Sequence, residues 1–155
     1  MIRRFRLGKW RFTFTVAPVA DVVGVNSLMR NGNHILMWDF DQSLLEDATR
    51  WLEYSQEKHH LPNIYLLRSS NPNNYIAYCL CACDWWDAKR IIADTYGVDE
   101  QFFKYGVYRD YFTLRVSAKE GQRPTLVAIL PSKVPETANI HDLDSWVVYE
   151  TVLTH

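Results

Sequence analysis

Two aspartates stand one residue apart in Trp38-Asp39-Phe40-Asp41. On an extended strand they project from the same face, about 7 Å apart. Carboxylates so placed repel each other unless a cation sits between them. Mg²⁺ or Mn²⁺ suits that role, because it takes a few hard oxygens from protein and the rest from phosphate and water. Asp39 and Asp41 at the C-terminal end of a strand are therefore a candidate seat for a nucleotide and its metal. The competing reading makes Asp41 a turn or helix-capping residue. Arg68-Ser69-Ser70 adds a guanidinium and two hydroxyls that can meet phosphates. Asp110 supplies a third acid, and Arg115 and Lys119 follow it as candidate triphosphate contacts, although Arg115 also suits a solvated face. A glycine-rich phosphate loop is absent, since the six glycines are scattered at 8, 24, 32, 97, 106 and 121.

The elements that must position these residues follow from periodicity. Lys9–Val16 alternates polar and apolar residues and predicts a strand, and residues 17–33 predict a long connection or a short second strand. His34–Asp41 predicts a buried strand. Ser43 with Glu46 has the form of a capping box, opening an amphipathic helix to about Lys58 with Leu44, Leu45, Ala48, Trp51, Leu52 and Ser55 near one face. Pro62 stops it. Asn63–Ser69 and Tyr75–Cys83 predict a hairpin around the turn residues Asn71-Pro72-Asn73-Asn74. Asp84 can cap a second helix, Trp85–Tyr96, with Gly97 at its stop. Beyond a Phe- and Tyr-rich segment, Tyr111–Ala118 predicts a strand and Thr125–Leu130 its hairpin partner. Pro131–Asp144 reads as loop and Trp146–Leu153 as a last strand.

The order from His34 to about Ala118 is β-α-β-β-α-β. It predicts an α+β, ferredoxin-like or RRM-like core: an antiparallel sheet, two helices on one face, the other face open. Extra strands flank it at both ends. With 155 residues the chain is expected to form one domain, with its core at about 34–120, a basic arm at 1–16 and a C-terminal strand extension at 121–155.

Composition narrows the function classes. A 48% apolar share excludes disorder as the dominant state, and no apolar run approaches the roughly 20 residues of a membrane span. No secretory signal is evident, and three cysteines at alternate positions (Cys79, Cys81, Cys83) are badly placed for a disulfide, which predicts a reducing, cytoplasmic setting (a host's cytoplasm if viral). They read as small core or face-lining residues, because no second ligand pair completes a zinc set. The net charge of −1 is unevenly spread. Arg3, Arg4, Arg6, Lys9 and Arg11 open the chain without an acid, leaving 12 basic and 18 acidic residues behind them, a net of −6. Such an arm is a candidate nucleic-acid contact, or simply a solvated strand.

Taken together, Asp39 and Asp41, a serine-bearing hairpin, Asp110, and the downstream Arg115 and Lys119 resemble the archaeo-eukaryotic primase superfamily, over roughly residues 34–120. The resemblance implies a viral or plasmid primase-polymerase core. Asp39, Asp41 and Asp110 would then be the catalytic acids holding Mg²⁺ or Mn²⁺, and Arg68, Ser69, Ser70, Arg115 and Lys119 would contact the nucleotide. The partners would be DNA, or RNA, together with nucleotides and a helicase or another replication protein. The chain departs from the family where a histidine normally follows the motif serine, since Ser70-Asn-Pro-Asn-Asn-Tyr75 contains none. A non-catalytic RRM-like binding module stacking bases on Tyr65, Tyr75, Tyr111 or Phe112, a replication initiator, and a phage or plasmid protein-interaction domain are the alternatives. A nicking initiator needs paired histidines on a strand, whereas His59 and His60 fall at a helix end.

Overall fold

The computed structural model describes residues 2–15, 19–69, 71–118, 121–143 and 146–152, and for 2–7, 10–15, 19–21 and 146–152 the backbone alone. The fold is α+β with antiparallel sheets. Strands β1 (Ile2–Leu7) and β2 (Trp10–Thr15) form a hairpin whose two-residue turn uses Gly8 at φ +58°. β3 (Val19–Asn26) leads to β4 (His34–Phe40), α1 (Leu45–His59), β5 (Ile64–Arg68), β6 (Tyr75–Cys83) and α2 (Trp85–Ala93). Then come α3 (Glu100–Arg109), β7 (Thr113–Arg115), β8 (Thr125–Leu130) and β9 (Trp146–Val152). Besides the hairpin there is a three-stranded sheet, β7-β3-β9, and a four-stranded sheet, β4-β6-β5-β8. The β4-α1-β5-β6-α2 succession is consistent with the ferredoxin-like core.

β4 lies against the helices with its even residues. Trp38 donates its indole N–H to Thr95 Oγ1 at 3.0 Å, Phe40 lies 6.0 Å from the Trp51 ring, and His34 lies 4.7 Å from Trp85. Its odd residues Ile35, Met37 and Asp39 face the other way, along with Tyr65, Leu67, Tyr78 and Leu80 of β5 and β6. The first ferredoxin-like helix begins differently from expectation. Ser43 donates to the Asp41 carbonyl instead of capping, α1 starts after Leu44 without a side-chain cap, and Leu44 is 61% exposed. Asp84 does cap α2, accepting from the Asp87 N–H at 2.8 Å. α2 ends at Ala93, earlier than expected. Gly97 beyond it has φ +71°, and an added Cβ there would sit 2.1 Å from the Trp51 ring.

A third helix forms where no element was expected, and long-range pairing corrects two expected strands. The Phe- and Tyr-rich segment forms α3, capped by Asp99, with Phe102 and Phe103 packed on the buried Phe112. The strand expected at Tyr111–Ala118 shrinks to β7, which pairs with β3 rather than with the first core strand. Ser27 explains this: its N–H donates to the Phe112 carbonyl and its own carbonyl accepts from Ile35 N–H, so the chain after β3 fills the place beside β4. β8 is not β7's hairpin partner. It pairs with β5, and Gln56 of α1 donates to the Leu130 carbonyl at 3.0 Å to hold that edge. The second sheet consequently covers part of the face expected to be open.

Candidate functional site

The site builds up at the C-terminal end of β4. Asp39 is the last odd-numbered residue of that strand and is half-buried. Its backbone carbonyl accepts from Asp99 N–H at 2.8 Å, which ties the start of α3 to it. Its carboxyl pKa is pushed up to about 7, first by burial, then by the charges of Asp41 and Asp99, with Arg115 opposing. Asp41 is exposed in the turn beyond β4, where its carboxylate accepts from the Asn74 amide. Asn74 also accepts from Gln42 N–H at 3.1 Å, and Ser43 N–H donates to the Asn73 carbonyl at 2.8 Å. The Asn71–Asn74 turn thus grips the segment carrying Asp41.

Arg115 arrives from the second sheet. Thr113 and Arg115 alternate with the buried Phe112 and Leu114, so Arg115 projects away from the helix-side core. Its guanidinium donates to Ser69 Oγ at 3.1 Å, just past the end of β5. Asp39, Asp41, Ser69 and Arg115, chosen from distant stretches of sequence, therefore gather at one end of the sheet. Arg68 does not join them; it lies over the Tyr75 ring at 6.0 Å. Ser70 and Lys119 lie outside the described residues. Arg3, Arg4 and Arg6 on β1 and Arg11 on β2 have side chains outside the described residues, and Lys9 is exposed at the hairpin turn.

Asp110 is the residue the structure separates from the group. It sits in the left-handed conformation (φ 63°) at the C-terminal end of α3, whereas Asp99, at the N-terminal end, is the acid beside Asp39. Ten helical residues at about 1.5 Å each put roughly 15 Å between those ends. Asp110 instead acts on His34, at the opposite end of β4, partly offsetting the burial that lowers the pKa of that imidazole. The three-acid, two-metal set implied by the resemblance does not fit: Asp110 is displaced, and among the described residues no three acids, histidines or cysteines stand close enough to share an ion.

Asp99 and Asn74 are the residues that sequence reasoning missed. Asp99 carried a signal, an N-cap residue three positions before Phe102, whose N–H its carboxylate accepts at 2.6 Å. Beside Asp39 a recess of about 190 Å³ is lined by Asp99, Phe102, Tyr105, Arg109, Tyr111 and Thr113 among others. Of the four aromatics considered for base stacking, Tyr75 and Phe112 are core residues at 4% and 0% exposure. Tyr65 and Tyr111 keep partial exposure, and Tyr65 donates its hydroxyl to Glu136 at 2.6 Å. The three cysteines are free: Cys79 is buried in the core, Cys81 and Cys83 are half-buried against it, and His59 pairs with Asp94 at 2.7 Å at the end of α1. No helix among the described residues is long and apolar enough to cross a membrane. No family model matches this chain, and comparison with curated proteins and with solved structures finds no match.

Proposed function

We propose that this chain is a primase-polymerase-like domain that binds the phosphates of a nucleotide or a nucleic-acid terminus at the end of β4. The observation that carries the reading is the meeting of Arg115 and Ser69 beside the Asp39–Asp41 pair. A guanidinium and a hydroxyl are phosphate-binding groups, and an adjacent acid pair suits the Mg²⁺ or Mn²⁺ that a nucleotide brings with it. The neighbouring recess runs along α3 from Asp99 and adds Tyr105, Arg109 and Tyr111 beside Asp39.

Binding is favoured over catalysis by one specific observation, the displacement of Asp110 to the far end of α3. Two-metal nucleotidyl transfer clamps both the attacking and leaving oxygens, and it needs carboxylates enough to hold both ions. Calorimetric titration with a nucleoside triphosphate and Mg²⁺ or Mn²⁺ tests the reading. Wild type should bind. Arg115→Ala should weaken binding at least tenfold, and Asp39→Ala/Asp41→Ala should remove its dependence on the cation. Template-dependent incorporation by wild type, lost in the double variant, would establish the polymerase instead. Absence of nucleotide and DNA binding by the folded protein would sink both in favour of a protein-interaction role.

A further inference from the structure

The odd-residue face of β4 and its neighbours lines a second, half-open space. Between the four-stranded sheet and the β3–β7 sheet lies a cavity of about 400 Å³. Ile35, Leu67 and Leu80 form its floor, Val25 and Val116 its roof, and Leu143 closes one side. Arg115 is the charged residue among its described lining groups, placed where the cavity approaches Ser69. The space is open to solvent on one side, where Ile140 at its rim is 55% exposed. Its size is that of a small-molecule site, and such sites pair an apolar wall with a few polar groups that fix orientation.

We propose that this cavity binds an apolar molecule bearing a single anionic group, its hydrocarbon body against the two sheets and its anion on Arg115. Charge complementarity argues for the anion, because a guanidinium at an apolar wall strengthens its interaction with a carboxylate or phosphate as water is excluded. The lining is predominantly apolar, which argues against a nucleobase and its several hydrogen-bonding groups. The inference is separate from the nucleotide reading, although both use Arg115. An occupant here would compete with Asp39 for that guanidinium and so couple the cavity to the end of β4.

The probe is decanoate, below its micelle concentration, titrated into the whole chain by calorimetry, with decanol as its uncharged counterpart. Wild type should bind decanoate saturably and in preference to decanol, with affinity falling roughly fourfold for each methylene removed. Arg115→Ala should erase the preference for the anion, and Leu80→Trp, which fills the cavity, should abolish binding of both probes. Thermal melts establish that each variant is folded, and Leu67→Trp serves as a second filling variant if Leu80→Trp is not. No saturable binding by folded wild type, or undiminished binding by a folded filling variant, would overturn the site. Equal binding of decanol and decanoate by wild type would overturn the anionic requirement. Nucleotide binding by the same samples is read in parallel, so loss of one reading leaves the other standing.

Discussion

Replacing Asp39 by asparagine gives a direct test of how the site is built. The Asp39 carboxyl is held neutral by burial and by the negative charges of Asp41 and Asp99, with a pKa of about 7 against an ordinary 3.8. In the unfolded chain the group ionises near the ordinary value. Between about pH 4 and pH 7 the native protein therefore binds one more proton than the unfolded chain, and stability falls as pH rises through that window. The gap between 3.8 and about 7, at 1.36 kcal/mol per pH unit, amounts to about 4 kcal/mol of destabilisation above pH 7. Asp39→Asn removes the ionisation and keeps the shape. Urea unfolding of wild type and variant should show a stability difference that is flat below pH 4. It should then grow in the variant's favour up to pH 7, and level off near 4 kcal/mol by pH 8. Titrating groups remote from Asp39 are common to both proteins and cancel in the difference, Asp41 and Asp99 are coupled to Asp39 so that the difference reports the three acids together, and any effect of the amide itself is independent of pH. A difference that stays constant from pH 4 to pH 8, or that shrinks, would refute the placement of Asp39 in a desolvated acidic cluster. Under the nucleotide reading, Mg²⁺ at pH 8 should stabilise wild type and leave Asp39→Asn unmoved.

Three further outcomes test the surrounding structure. Thr95 accepts from the Trp38 indole and lies 2.9 Å from both Ser55 Oγ and the Ile91 carbonyl, so Thr95→Val should cost about 1–3 kcal/mol in urea unfolding by orphaning the buried Trp38 N–H. An added methyl at Gly106 would meet the Phe112 ring at 2.2 Å, so Gly106→Ala should destabilise by about 1–3 kcal/mol, read as a lower melting temperature, although alanine is the better helix former. Burial pushes the Cys79 thiol far up and the Cys83 thiol up to about 12, so at pH 8 a thiol-specific disulfide reagent should label native protein far more slowly than protein in urea. Labelling of Cys79 and Cys83 at the unfolded rate would contradict their packing in and against the core.

Much of the local structure could be read without coordinates. The β4 strand, the α1 face built on Ala48, Leu52 and Ser55, the β5–β6 hairpin around Asn71–Asn74 and the Asp84 cap each depend on residues within a few positions of one another. Periodicity and capping chemistry express such short-range preferences directly. α3 was less legible because its inward residues Phe102, Phe103 and Gly106 include a glycine and sit among exposed tyrosines, which blurs the apolar stripe.

The pairing partners and the final membership of the site depended on contacts across long sequence separations. Sequence alone placed Asp39, Asp41, Ser69 and Arg115 as candidates, and the tertiary structure gathered them. Only the fold could exchange Asp110 for Asp99, because both acids flank the same helix and which end meets β4 follows from how α3 packs on Phe112. Likewise, nothing local tells β7 to pair with β3 or β8 to pair with β5. A strand's alternation specifies its faces, whereas its neighbour is chosen by competition for free edges. Here that competition was decided by Ser27, whose backbone occupies the place beside β4.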